Sequence, residues 1–319
     1  MGSRYMHPRY TICPKGYYCP ANATGTRTEI YPCPVGTFGL IAGAWDRTTH
    51  CIDCPRGYYC PPGTDNYLLF ECPAGSYCVP GTSRPIKCPE GTFSEEVGMW
   101  DLQQCRPNPP GYETAEGSQS PSICPKGYYC PGDKKFPCPP GTYSGGRTGL
   151  TDISQCVLCP AGYYCPEGSD VPLEHIAGYY NPWMGLHTSD YFLICPSSYA
   201  CDSTGLVTYR FKKCTKGKYC PPASIAAVDC PAGTWTDSIT LSFESECTKC
   251  WPGYMCAAGS TSAVFVVGNL CTAGYYCPSG SSTTNKVQCP AGTYSLVGAK
   301  FIEDCIPCEA GYYCLIGST

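Results

Sequence analysis

The chain is short of the residues that build ordinary cores. Leu, Ile, Val and Phe together number 49 of its 319 residues, about 15%, below the roughly 20% at which a chain struggles to form a hydrophobic interior. Charge is sparse as well, at 14% Asp, Glu, Lys and Arg against a typical value of about 25%. The net charge of -4 is too small to imply nucleic acid or an anionic membrane as a partner. No apolar stretch approaches the ~18 residues of a membrane span; the longest, Ala263 to Val267, stops at Gly268. Met1 to Tyr10 carries Arg4, His7 and Arg9 without an apolar run, so it does not read as a signal peptide. A mature product or a piece of a longer array is expected, and the end at Thr319, just after a cysteine loop closes, suits a cut inside such an array. Catalytic signatures are missing too: there is no Gly-x-Ser-x-Gly, no His-Glu-x-x-His and no Gly-rich phosphate loop. The sequence reads as non-enzymatic, with no cofactor.

Cysteine takes the place of the missing oil. Thirty cysteines stand beside 36 glycines, 33 prolines and 27 tyrosines. Cross-links restrict the unfolded chain where burial is too small to offset its entropy. Fifteen disulfides and an oxidising compartment, extracellular or at the cell surface, are therefore expected.

The cysteines fall into two motifs. The first is Cys54-Pro-Arg-Gly-Tyr-Tyr-Cys60, with near copies at Cys13, Cys124, Cys159, Cys271 and Cys308 and looser ones at Cys72, Cys195, Cys214 and Cys250. Pro and Gly bend such a loop and two aromatics precede its exit, the pattern of a tight hairpin. The second motif opens with Cys-Pro-x-Gly-Thr-aromatic at Cys33, Cys88 and Cys138, and at Cys230 and Cys289, and closes 16 to 18 positions later. Near its end a bulky residue recurs (Trp45, Trp100, Leu150, Leu241, Phe301), often followed by Asp or Thr. That pattern predicts one short capped helical turn whose bulky side chain lies against the disulfide.

Short loop, long loop and second short loop make one unit. The reading is a lead-in at 1–12, repeats at 13–71, 72–123, 124–165, 214–270 and 271–319, and an insertion at 166–213. Repeat 2 carries a degenerate second short loop: Asn108 and Thr114 stand where Cys54 and Cys60 stand in repeat 1. Both cysteines are lost together, which favours pairing within loops. The ten short pairs are then Cys13–Cys19, Cys54–Cys60, Cys72–Cys78, Cys124–Cys130, Cys159–Cys165, Cys195–Cys201, Cys214–Cys220, Cys250–Cys256, Cys271–Cys277 and Cys308–Cys314. The five long pairs are Cys33–Cys51, Cys88–Cys105, Cys138–Cys156, Cys230–Cys247 and Cys289–Cys305. A crossed pattern, for example Cys51 to Cys60, is the rival.

The Cys-x-x-Cys steps at Cys51, Cys156, Cys247 and Cys305 invite a zinc reading. Each bridges two different loops, and His7, His50, His175 and His187 are scattered, so no metal is expected. Redox exchange would want a βαβ setting that is not present. The basic run Arg210, Lys212, Lys213, Lys216 and Lys218 is a solvated face or a site for acidic sugars. Asn22-Ala23-Thr24 is a glycosylation acceptor, so covalent glycans are expected at Asn22.

Interface candidates are aromatic. Tyr179, Tyr180, Trp183, Tyr191 and Phe192 crowd the insertion, either covering one another or meeting a neighbouring molecule. Tyr58 and Tyr59 follow the short-loop turn on opposite sides of the hairpin, so one can lie on its own module and the other on a neighbour.

The blocks Cys289-Pro-Ala-Gly-Thr-Tyr-Ser and Cys124-Pro-Lys-Gly-Tyr-Tyr-Cys-Pro resemble the ephrin-receptor-like cysteine-rich repeats, related to EGF-like and TNF-receptor-like modules, over about Cys13 to Cys314. The resemblance implies small disulfide-rich repeats: an elongated tandem array of short β-hairpins and loops with little helix. Such arrays occur in receptor ectodomains, protist surface proteins and the flagellar hairs called mastigonemes. Two functions follow as expectations. One is a structural rod that builds a fibre, flagellar hair or coat by self-association or with other extracellular structural proteins; the other is a receptor or adhesion stalk that binds a protein or glycan.

Overall fold

A computed structural model of the chain describes residues 11–20, 29–263 and 268–319. Asn22 and most of the Ala263–Val267 run lie outside them. Among the described residues the architecture is small disulfide-rich tandem hairpins: thirteen two-stranded sheets of two-residue strands, one four-residue α-helical turn at Arg47–His50, and six short 3-10 turns. No helix among them is long and apolar enough to cross a membrane.

Each module is built by its seven-residue motif. The Tyr58 amide bonds the Pro55 carbonyl at 3.2 Å, and Gly57, between them, has φ +83°. This is a turn that wants Pro or another residue at its start and Gly at its third place. Where the fifth residue is Thr, its hydroxyl adds a bond to the same Pro carbonyl, 2.8 Å for Thr37 to Pro34 and 2.7 Å for Thr92 to Pro89. The fifth and sixth residues then pair antiparallel with the two residues before the next module. Phe38 faces Ile52, Tyr77 faces Ile86, and Tyr276 faces Val287.

The fifteen disulfides all lie within loops. Ten join the first and seventh positions of a motif, at sequence separation 6. Five join a first position to the residue three before the next module, at separations of 16 to 18. Cys51 is bonded to Cys33.

Two compact units divide the chain. The first comprises Met1–Pro139, Tyr143–Val157 and Glu167–Val171; the second comprises Pro140–Thr142, Leu158–Pro166 and Pro172–Thr319. In the first unit each motif glycine is bonded to the following module through both of its backbone groups. The Gly57 amide donates to the Cys78 carbonyl at 2.9 Å, and the Cys72 amide donates to the Gly57 carbonyl at 2.9 Å. Gly16, Gly36, Gly75, Gly91 and Gly111 repeat the pattern. The second unit uses the same ladder, for example Gly217 to Thr236 and Cys230 to Gly217, both at 2.9 Å. The ladder also explains why the glycine is retained. A Cβ on Gly75 would lie 2.2 Å from the Gly117 carbonyl oxygen two modules away, and one on Gly217 would lie 2.2 Å from that of Gly259.

Ser198 is the informative exception. It occupies a motif-glycine position with φ +68°, and its hydroxyl donates to the Thr240 carbonyl at 2.6 Å. Thr240 stands where other long loops place a second glycine, so a hydrogen bond replaces the bare backbone approach here.

The cores are correspondingly small. Cys54 and Cys60 enclose Phe38 of the preceding module with Tyr58 and Tyr67, and Cys88 and Cys105 enclose Met99 with Tyr77. One buried side chain of that size contributes roughly 1.5–3 kcal/mol, too little for a module to stand alone. The long-loop expectation needs a correction of register. Leu150 and Leu241 are buried, but at the matching positions the buried residues are Ala44, Met99 and Ala299, while Trp45, Trp100 and Phe301 are exposed. The residue whose carbonyl receives the preceding module's seventh-position amide (Ala44, Met99, Leu150) is the one turned inward. The helical turns then follow, capped by Asp46, Asp101 and Asp152.

The degenerate copy keeps its place in the ladder. Asn108 donates its amide to the Gly91 carbonyl at 3.0 Å. Its side chain and that of Thr114 are buried in the room of the absent disulfide, and Asn108 Oδ1 and Nδ2 and Thr114 Oγ1 lack hydrogen-bond partners.

Candidate functional site

The segment expected as an insertion, 166–213, contains modules of the regular kind. Gly178 bonds Cys201 and Cys195 bonds Gly178, each at 2.9 Å, and Tyr179–Tyr180 pair with Leu193–Ile194. Its first position is His175 and its closing position is Phe192, so two rings stand where other long loops have a disulfide. Their centroids lie 4.9 Å apart in a T-shaped contact, and Tyr179 also meets His175, at 4.7 Å. Phe192 is 8% exposed. A ring pair adds about 0.5–1.5 kcal/mol beyond its buried area, against about 3 kcal/mol for closing a loop of this length with a disulfide. This long loop is therefore the least covalently restrained.

Asn181 takes the seventh position and is fully buried. Its Nδ2 donates to the carbonyls of Tyr163 and Trp183 at 3.2 and 2.9 Å, and its Oδ1 accepts the Trp183 amide at 2.8 Å. The Trp183 backbone is fixed, while its side chain is 48% exposed. Tyr191 is 57% exposed and its ring lies beside His187, 6.0 Å between centroids. Of the five aromatics expected here, Trp183 and Tyr191 face outward, while Tyr179, Tyr180 and Phe192 are engaged inside the unit.

Tyr180 leads into a three-ring cluster that sequence reasoning missed. Tyr209 lies edge-on to Tyr180 at 5.1 Å and to Tyr199 at 4.8 Å. Burial pushes the Tyr180 phenol above its usual range, and the neighbouring Tyr209 adds to the shift. The same arrangement exists within the first unit: Tyr67 meets Phe38 at 4.8 Å and Tyr58 at 5.0 Å. Tyr59 is occupied by Phe70 at 5.5 Å. Both rings of the Tyr58–Tyr59 pair thus have intramolecular contacts. The module at His175, not the ring cluster, was legible in His175-Ile-Ala-Gly-Tyr-Tyr-Asn181, which keeps Gly-Tyr-Tyr at the motif spacing without a cysteine at either end.

The basic run is partly paired. Lys212 meets Asp202 at 2.8 Å and Lys218 meets Asp229 at 3.2 Å, and the Lys212 ammonium holds the Asp202 carboxyl below its usual range. Elsewhere in the first unit an open groove of about 600 Å³ is lined by Tyr77, Lys87, Pro89, Glu90, Leu102 and Glu116. No group of three or more His, Cys, Asp and Glu side chains arranged to hold a metal occurs among the described residues.

Compared with known proteins, the sequence matches no family model and no curated protein. Its heavily disulfide-bonded, repeated architecture fits an extracellular structural or ectodomain protein.

Proposed function

We propose that the chain is a non-enzymatic extracellular structural protein, a disulfide-stapled array that builds a fibre, flagellar hair or cell-surface coat by self-association and carries sugar at Asn22. The observation that carries this reading is the ladder. Within each unit, modules bond to their successors through the backbone of the motif glycine, a one-dimensional mode of stabilisation that extends by adding modules. A row of apolar side chains at one register position, two residues before a module, stays in water: Ile52, Ile86 and Val157 in the first unit, and Val228, Val287 and Ile306 in the second, each between 39% and 54% exposed. Rows of this kind suit contacts between copies. The likeness to ephrin-receptor-like repeats supports the same class through its occurrence in mastigonemes.

A second reading, a receptor or adhesion stalk that binds a protein or glycan, is favoured by the groove at Tyr77, Glu90 and Glu116. Negative-stain microscopy of the purified protein over a concentration series separates the two. Filaments with an axial repeat are expected; particles that stay single at high concentration would exclude the structural reading.

A further inference from the structure

Two of the loops that join one short loop directly to the next, 61–71 and 202–213, run between cysteines of different disulfides without containing one. Each is anchored by a tyrosine. Tyr67 lies edge-on to Tyr58 with ring centroids 5.0 Å apart, and Tyr209 lies edge-on to Tyr199 at 4.8 Å and to Tyr180 at 5.1 Å. The placement is equivalent in the two units: Tyr58 and Tyr199 hold the fifth motif position, and Tyr67 and Tyr209 lie five residues before the next cysteine. All five rings are partly exposed. An oxidant can therefore remove an electron at the surface while the partner ring is already in contact.

We propose that Tyr58–Tyr67, and Tyr209 with Tyr199 or Tyr180, are intramolecular dityrosine cross-linking sites, oxidised by hydrogen peroxide through a haem peroxidase. Each phenol loses one electron and one proton. The two phenoxyl radicals join through a carbon–carbon bond between ring positions next to the hydroxyls, and the hydrogen on each joined carbon returns to the phenol oxygen to restore aromaticity. Hydrogen peroxide accepts the two electrons and two protons, its O–O bond breaks, and two waters leave. The product is a covalent staple on loops that disulfides leave unclosed, and it survives thiol reductants. The inference does not depend on the chain forming a fibre.

The test uses the disulfide-intact chain at high dilution with a haem peroxidase and limiting hydrogen peroxide. After reduction and alkylation, the only peptides still joined are those linked through tyrosine, and mass spectrometry identifies them. The expected result is joined peptides containing Tyr58 with Tyr67, and Tyr209 with Tyr199 or Tyr180, in a chain that stays monomeric on a denaturing gel. Tyr67→Phe should lose the first product and keep the second, and Tyr209→Phe the reverse, so each variant controls for the folding of the other site. Linkage only between chains, through the highly exposed Tyr312 and Tyr313, would overturn the proposal. So would linkage confined to the stacked pair Tyr18 and Tyr31, or products unchanged by either substitution.

Discussion

Replacing Gly127 by Ala tests whether the ladder is what requires the motif glycine. Gly127 has φ +80°, and a Cβ there would lie 2.2 Å from the Gly168 carbonyl oxygen and 3.0 Å from its carbon. Gly146, in the same unit, has φ +68° and nothing within 4 Å of its added Cβ. Both substitutions place an L side chain in the left-handed region, at about 1–2 kcal/mol. Only Gly127→Ala must also push a module aside. Two bonds lie on the displaced backbone, Gly127 to Ser144 Oγ at 2.9 Å and Cys138 to the Gly127 carbonyl at 2.8 Å. At a net ~0.5–1.5 kcal/mol each, their loss brings the total to about 2–5 kcal/mol, against about 1–2 kcal/mol for Gly146→Ala.

Because the contacts are local, the effect should be local too, and native-state amide exchange is the suitable assay. The Cys138 amide should exchange faster in Gly127→Ala and near its parent rate in Gly146→Ala, with all disulfides intact. Equal losses in the two variants would mean that backbone torsion alone selects the glycine, and the stacking argument would fail.

Other perturbations address the staples and the caps. Asn108→Cys with Thr114→Cys should form an eleventh short-loop disulfide and raise thermal stability, because it removes buried unpaired polar atoms that cost about 1–3 kcal/mol each; two free thiols in the purified double variant would refute the equivalence of this loop with the others. Hydrogen bonds from the Thr48 hydroxyl to Asp46, from the Ser154 amide to Asp152 and from the Lys300 amide to Asp304 lower those carboxyl pKa values below the ordinary 3.8. Their contribution is complete above that value and is lost as pH falls through the lower folded-state values, so Asp152→Asn should flatten the acid dependence of amide protection at Ser154, and an unchanged profile would count against the cap. Full reduction without chaotrope should abolish near-ultraviolet dichroism from the tyrosines, since each of these cores holds one buried apolar side chain besides its cysteines; a signal that survives reductant would mean that packing, not cross-linking, holds the modules.

Much of this architecture was legible because the motif is local. Pro, Gly and the two residues after them define a turn and a two-residue strand, and the joint loss of cysteine at Asn108 and Thr114 points to the within-loop bonding that the structure contains. What the linear pattern did not disclose is what each glycine touches. The oxygen that excludes a side chain from Gly75 belongs to Gly117, 42 residues on, and no spacing within one motif encodes that approach. The register of the long loop was misjudged for a related reason. Bulk draws attention to Trp45 and Trp100, but the inward position is set by which carbonyl receives the preceding module's amide, and a small Ala44 meets that requirement as well as Met99 does.

The segment around His175 shows which constraint dominates. Its cysteines are gone, yet Gly178, Tyr179, Tyr180 and the bonds from Gly178 to Cys201 and from Cys195 to Gly178 are kept. In the Asn108–Thr114 copy the cysteines are again absent, and Gly111 still bonds Cys130 at 2.8 Å. If the disulfides defined the module, these two copies should have lost the ladder together with the sulfur. They retain it, with an aromatic pair in one case and a buried Asn and Thr in the other filling the vacated room. The backbone ladder therefore sets the module's shape, and the disulfide stabilises a shape that the glycine and its neighbours already specify. In two of the loops that no cysteine closes, tyrosine contacts supply restraint instead: Tyr58 with Tyr67, and Tyr209 with Tyr180 and Tyr199.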